Sequence, residues 1–181
     1  MEKKNKKEFY KVAISALLAS SVLLFTLLIL HTNGVLIQIG KPSNGISHQV
    51  LSNSLLIVAT VSLVYIVNDR VIKGVFIAVG ALLILVPTIP SLLTDTEYVE
   101  FSSPDNNEEF VVMERGYGTL YQLSDSGLYM TYLTDFDTDD GYKPFSEGAY
   151  ELEWREPDQL IIRYKFDYMS GSLDKEVSID Y

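Results

Sequence analysis

Two patterns of apolar and polar positions divide the chain. In the first half, long uncharged runs are separated by short polar breaks. Residues 12–30 carry no charge and are interrupted only by Ser15, Ser20, Ser21 and Thr26; as a helix this run is roughly 28 Å long, the thickness of a bilayer core. A second run, 50–67, is also uncharged but contains Ser52, Asn53, Ser54, Thr60 and Ser62. A third, 71–93, has Lys73 near one end, where the long stem can reach the headgroups, and Pro87 and Pro90 near the other. Three transmembrane helices are predicted, with the prolines kinking or ending the last one. The first run is too long for the apolar core of a cleaved signal, and no Ala-x-Ala precedes the polar His31-Thr32-Asn33-Gly34, so it reads as an uncleaved anchor.

From residue 94 onward the period changes to two. Tyr150, Leu152 and Trp154 alternate with Glu151, Glu153 and Arg155, and after a turn at Glu156-Pro157-Asp158 the pattern resumes through Leu160, Ile162, Tyr164 and Phe166. Paired as a hairpin, these place the apolar residues on one face and Glu151 and Glu153 beside Arg163 and Lys165 on the other. A second hairpin is predicted from 118–123 through Ser124-Asp125-Ser126-Gly127 to 128–133. Further strands are expected at 98–102, 110–115 and 177–180. The predicted fold is therefore a three-span α-helical membrane domain, 1–93, followed by a small all-β antiparallel domain, 94–181, built as one sheet or a sandwich.

Charge sharpens the division. Residues 1–93 hold 8 Lys/Arg against 3 Asp/Glu, and residues 94–181 hold 6 against 21. An acidic domain of that kind repels phosphate, which excludes a nucleic-acid binder. Cationic flanks stay on the cytoplasmic side. Lys3, Lys4, Lys6, Lys7 and Lys11 in the tail, with Arg70 and Lys73 between the second and third runs, outnumber the single Lys41 between the first and second. The expected topology is a cytoplasmic N-terminus and inner loop at 68–73, with residues 31–49 and the β domain extracytoplasmic. No ionisable group lies in mid-span, and Asn53 sits near the outer boundary, which argues against a channel or transporter. Small-residue pairs Ser15/Ala19, Ala16/Ser20 and Gly74/Ala78 are the expected helix contacts. The chain has no cysteine, so disulfides, thiolate nucleophiles and Cys-ligated metals are excluded.

Phe101-Ser102-Ser103-Pro104-Asp105 followed by Phe110-Val111-Val112-Met113-Glu114 resembles the Ser-Pro-Asp turn and following strand of TolB-like propeller blades, but no repeat follows, which excludes a complete propeller. The basic tail, three spans, Thr138-Asp139-Asp140-Gly141-Tyr142-Lys143-Pro144-Phe145 and Tyr150-x-x-x-Trp154 together resemble small membrane proteins of Bacillus-like Gram-positive bacteria with an extracytoplasmic β domain. That resemblance covers mainly residues 100–166 and implies no particular activity.

Several constellations invite chemistry. Asp135, Asp137, Asp139 and Asp140 crowd a short segment ending in Gly141, as calcium-binding loops do, but counted from Asp135 the glycine position of an EF-hand holds Asp140 and the twelfth holds Ser146 instead of Glu. The simpler reading is a solvated acidic loop. His31 and His48 close the two ends of the first outer loop, where antiparallel helices would bring them together, and two imidazoles with an added carboxylate suit zinc. Solvated interfacial histidines are the simpler reading there too. Gly116-Tyr117-Gly118 is expected to make a turn or bulge. The 16 aromatics of residues 94–181 are first of all core, and a sugar- or wall-binding platform second. No phosphate loop, zinc-protease motif or nucleophile elbow occurs. The sequence thus predicts a non-enzymatic membrane protein, without cofactor, seated in the lipid bilayer and presenting the outer domain to a membrane or envelope protein partner. An envelope hydrolase using paired carboxylates and a calcium-dependent adhesion or sensing protein are the alternatives.

Overall fold

The computed structural model describes residues 2–139, 141–155, 158–169 and 171–181, with side chains from residue 6 onward. The chain forms two compact units, one of residues Met1–Asn33 and Ser47–Leu93, the other of Gly34–Ile46 and Thr94–Tyr181.

The first unit is three helices, α1 (Glu2–Thr32), α2 (His48–Ile66) and α3 (Arg70–Leu93), each long and apolar enough to cross a membrane. α2 starts on a Ser47 cap, whose hydroxyl accepts from the Val50 amide at 3.4 Å. Asp69 caps α3, its Oδ1 accepting from the amides of Val71 at 2.8 Å and Ile72 at 3.0 Å. The first turn of α3 therefore includes Arg70 and Lys73, and the inner connection is shorter than the expected 68–73. α3 runs through Pro87 and Pro90 to Leu93, so the prolines do not end it. α2 packs against both α1 and α3. On α3 the close approach is at Gly80, where a Cβ would strike the Thr60 side chain, whereas Gly74 faces open space. Gly80 thus supplies the tight contact expected of the Gly74/Ala78 pair. The reason is that Gly80, not Gly74, lies on the face turned toward α2. Polar side chains hold the far end of the pair: Gln49 Nε2 donates to the Pro87 carbonyl at 3.1 Å and Ser91 Oγ at 3.0 Å, and Asn53 Nδ2 to Thr88 Oγ1 at 3.1 Å.

Nine strands form among the described residues of the chain. β3 (Glu97–Ser102), β4 (Glu109–Glu114), β5 (Gly118–Leu123) and β6 (Tyr129–Phe136) are an antiparallel meander. Residues 35–39, expected as part of a plain loop, are strand β1 (Val35–Ile39), and it pairs with β6 in the register Val35↔Thr131, Leu36↔Met130, Ile37↔Tyr129. With the two-residue β2 (Ile46–Ser47) the sheet order is β2-β1-β6-β5-β4-β3. A separation of the chain at residue 93 therefore misses Gly34–Ile46, which belongs with the β unit. β7 (Tyr150–Arg155), β8 (Gln159–Tyr164) and β9 (Lys175–Asp180) form a second antiparallel sheet. Of the predicted Glu156-Pro157-Asp158 turn, residues 156 and 157 lie outside the described residues.

The two sheets share one core. Phe110, Val112, Leu120 and Phe136 from the larger sheet meet Leu160, Ile162, Tyr164 and Ile179 from the smaller, with Phe145 between elements. The rings of Phe110 and Trp154 lie 5.6 Å apart and those of Phe136 and Tyr164 5.2 Å. The β7–β8 hairpin has the expected faces: Leu152 opposes Ile162 and Trp154 opposes Leu160. On its other face Arg163 bonds Glu153 at 2.8 Å and Glu176 of β9 at 2.7 Å. Val111, Tyr121 and Met130 make a second buried cluster on the opposite side of the large sheet, joined by Leu36 of β1.

Candidate partner-binding surface

The acidic run at the end of β6 does not converge. Asp135 accepts from the Thr119 hydroxyl at 2.8 Å and the Tyr132 phenol at 3.2 Å. Asp137 pairs with Lys175 Nζ at 2.8 Å, and that bond holds the lysine above its ordinary pKa. Asp139 uses its backbone, donating to the Phe166 carbonyl at 2.9 Å and accepting from the Tyr142 amide at 2.7 Å. Asp140 lies outside the described residues. Ser146, the twelfth position of the hypothetical loop, is taken by Glu114, whose buried carboxylate accepts from the amides of Phe145 at 2.9 Å and Ser146 at 2.8 Å and from the Ser146 hydroxyl. Among the described residues no group of three or more His, Cys, Asp or Glu side chains is placed to hold a metal ion. His31 and His48 do come together, with ring centroids 5.5 Å apart.

A more extended polar surface lies where the β3–β4 and β5–β6 connections meet. The first is a tight turn organised by Ser103 and Asp105. The Ser103 hydroxyl donates to Asp105 Oδ1 at 2.5 Å while accepting from the Glu108 amide at 3.0 Å, and Asn107 Nδ2 donates to Asp105 Oδ2 at 2.5 Å. Asn106 takes the left-handed conformation, φ 55°, that asparagine tolerates. The Ser103 hydroxyl first, and then the Asn107 amide, hold the Asp105 carboxyl below its ordinary pKa. The second connection closes through the Gly127 amide on the Ser124 carbonyl at 2.8 Å, with Gly127 at φ 64°. Gln122 Nε2 joins the two by donating to Glu108 Oε2 at 2.7 Å.

Open cavities flank this junction. One of about 370 Å³ is lined by Glu108, Gln122, Asp125 and Tyr129 among others, and one of about 410 Å³ by Asn106, Asn107, Glu109 and Asp125. A smaller one, about 160 Å³, has Glu100, Phe101 and Glu109 on one side and Lys41 and Pro42 from the segment after β1 on the other. Glu100, Glu108, Glu109 and Asp125 face these cavities with Lys41 as the cation among the lining residues. The lining offers carboxylates, amide oxygens and hydroxyls, a set that accepts from ammonium, guanidinium and N–H groups and repels anions. Both of the chain's histidines belong to the helical unit, so Ser124 and Ser126 are without an imidazole base in their own unit. In the sequence these segments read only as turns. Their Ser/Asp/Asn/Gly content marks connections well, but not which connections end up side by side.

No family model, curated protein or solved structure matches the chain.

Proposed function

We propose that this is a three-span integral membrane protein with a cytoplasmic N-terminus, whose extracytoplasmic acidic β unit binds a protein or envelope partner carrying cationic groups. The observation that carries the reading is the pairing of β1 with β6. β1 follows α1, and β6 follows α3. A shared sheet requires both connections on one side of the bilayer, which is what three crossings produce. The Lys/Arg bias of the tail and of Arg70 and Lys73 then puts that side outside. The β unit holds 7 Lys/Arg against 21 Asp/Glu, a field that draws cationic partners and speeds their encounter at low salt.

Two measurements test this. The chain is free of cysteine, so single cysteines at Ser43, Ser126 and Asp69 report topology cleanly. An impermeant maleimide on intact cells is expected to label the first two and spare the third; labelling of Asp69→Cys alone inverts the topology and sinks the reading. Crosslinking in the native membrane, followed by purification, then compares the wild type with the Glu108→Lys, Glu109→Lys, Asp125→Lys variant. A partner lost from the variant supports the surface; equal recovery overturns it.

A further inference from the structure

We propose that His31 and His48 together bind one divalent transition-metal cation, Zn²⁺ or Cu²⁺, at the end of the α1–α2 pair. His31 is in the last turn of α1 and His48 is the first residue of α2. Nothing in the local sequence makes them neighbours; helix packing does, setting their ring centroids 5.5 Å apart with planes tilted by 31°. An imidazole nitrogen binds Zn²⁺ at about 2.0–2.1 Å, which puts the ring centre about 3.2 Å from the ion, and two such arms opened to a tetrahedral or slightly wider angle separate the centres by about 5–5.5 Å. The observed spacing fits a single bridging ion. His31 is exposed and His48 half-buried, so an ion reaches them from solvent.

The nearby polar side chains are committed elsewhere. The Thr32 hydroxyl and Asn33 Nδ2 turn back to the Ile29 carbonyl, at 2.9 and 2.7 Å. Gln49 bonds α3 through Ser91 and the Pro87 carbonyl. Two imidazoles therefore fix the ion, and its remaining positions are open to water or to a ligand from another molecule. Imidazole donors favour Zn²⁺ and Cu²⁺, with Cu²⁺ the tighter, while Ca²⁺ and Mg²⁺ require oxygen ligands.

The test uses the full-length, tag-free protein in detergent micelles, titrated with Cu²⁺ and read by electron paramagnetic resonance. One equivalent per chain is expected, with hyperfine structure from two nitrogens, displaced by Zn²⁺ and untouched by Mg²⁺ or Ca²⁺. His31→Gln and His48→Gln are each expected to weaken binding at least tenfold and reduce the signature to one nitrogen. A wild-type spectrum with one imidazole, or an affinity no greater than that of the double variant, overturns the proposal.

Discussion

Glu114 and Ser146 are joined although 32 residues separate them: the buried carboxylate of Glu114 receives the Ser146 amide at 2.8 Å and also its hydroxyl. Glu114 follows Phe110 and Val112 on the core-facing side of β4, and it is 1% exposed. Three donors from residues 145 and 146 replace the water it loses. Replacing it with Ala leaves two amides without their acceptor, and the expected loss is about 1–3 kcal/mol. The single Trp154 packs on this core, so its fluorescence during urea unfolding of the full-length protein reads the loss. An unchanged midpoint would remove Glu114 from the account.

High pH is expected to destabilise the β unit through Tyr121. Burial is the largest cause that pushes its phenol from 10.0 up to about 12. Between those values an unfolded chain releases a proton that the folded chain keeps, so stability is fully present below pH 10 and is lost as pH rises toward 12. Tyr121→Phe removes this share of the loss. Its Trp154-detected midpoint is expected to fall less steeply than that of the wild type between pH 10 and 12, and parallel curves would contradict the assignment.

Gly80 and Gly74 give a paired test of the helices. Leucine at position 80 meets Thr60, whereas leucine at position 74 meets open space. Gly80→Leu is expected to cost about 1–3 kcal/mol through overpacking or separation of α2 and α3. Gly74→Leu is expected to be neutral. Titration with sodium dodecyl sulfate, followed by helical circular dichroism, separates the two; equal effects would place the contact elsewhere.

Thr88 gathers the polar contacts between α2 and α3, accepting from Asn53 at 3.1 Å and Gln49 at 3.4 Å and donating to the Ile84 carbonyl at 2.6 Å. Thr88→Val keeps the shape and removes the hydroxyl. A loss of about 0.6 kcal/mol is expected in the same titration, typical for hydrogen bonds between helices in a membrane environment.

The alternation in β4 shows how far sequence reached into the fold. Phe110, Val112 and Glu114 sit at successive odd-even positions of one strand, so a carboxylate in the core register was already written there; its donors at 145 and 146 were not. The same holds for the acidic run at 135–139. Its residues are adjacent in the chain, yet Thr119, Tyr132 and Lys175 claim their side chains separately, because each partner comes from another strand or another position in its own.

Sequence by itself determined the three helices and the β3–β4, β5–β6 and β7–β8 hairpins. Their signals are local: uncharged run length for the helices, and a period of two on either side of a turn for the hairpins. Tertiary structure alone decided that Val35–Ile39 joins the sheet. Five residues between Gly34 and Gly40 carry too little pattern to announce a strand, and their partner β6 lies about ninety residues further on. It also decided the meeting of His31 with His48 and the junction of the β3–β4 and β5–β6 connections. Each of these depends on closing a loop and packing elements that are distant in the chain, and no window along the sequence contains both sides of such a contact.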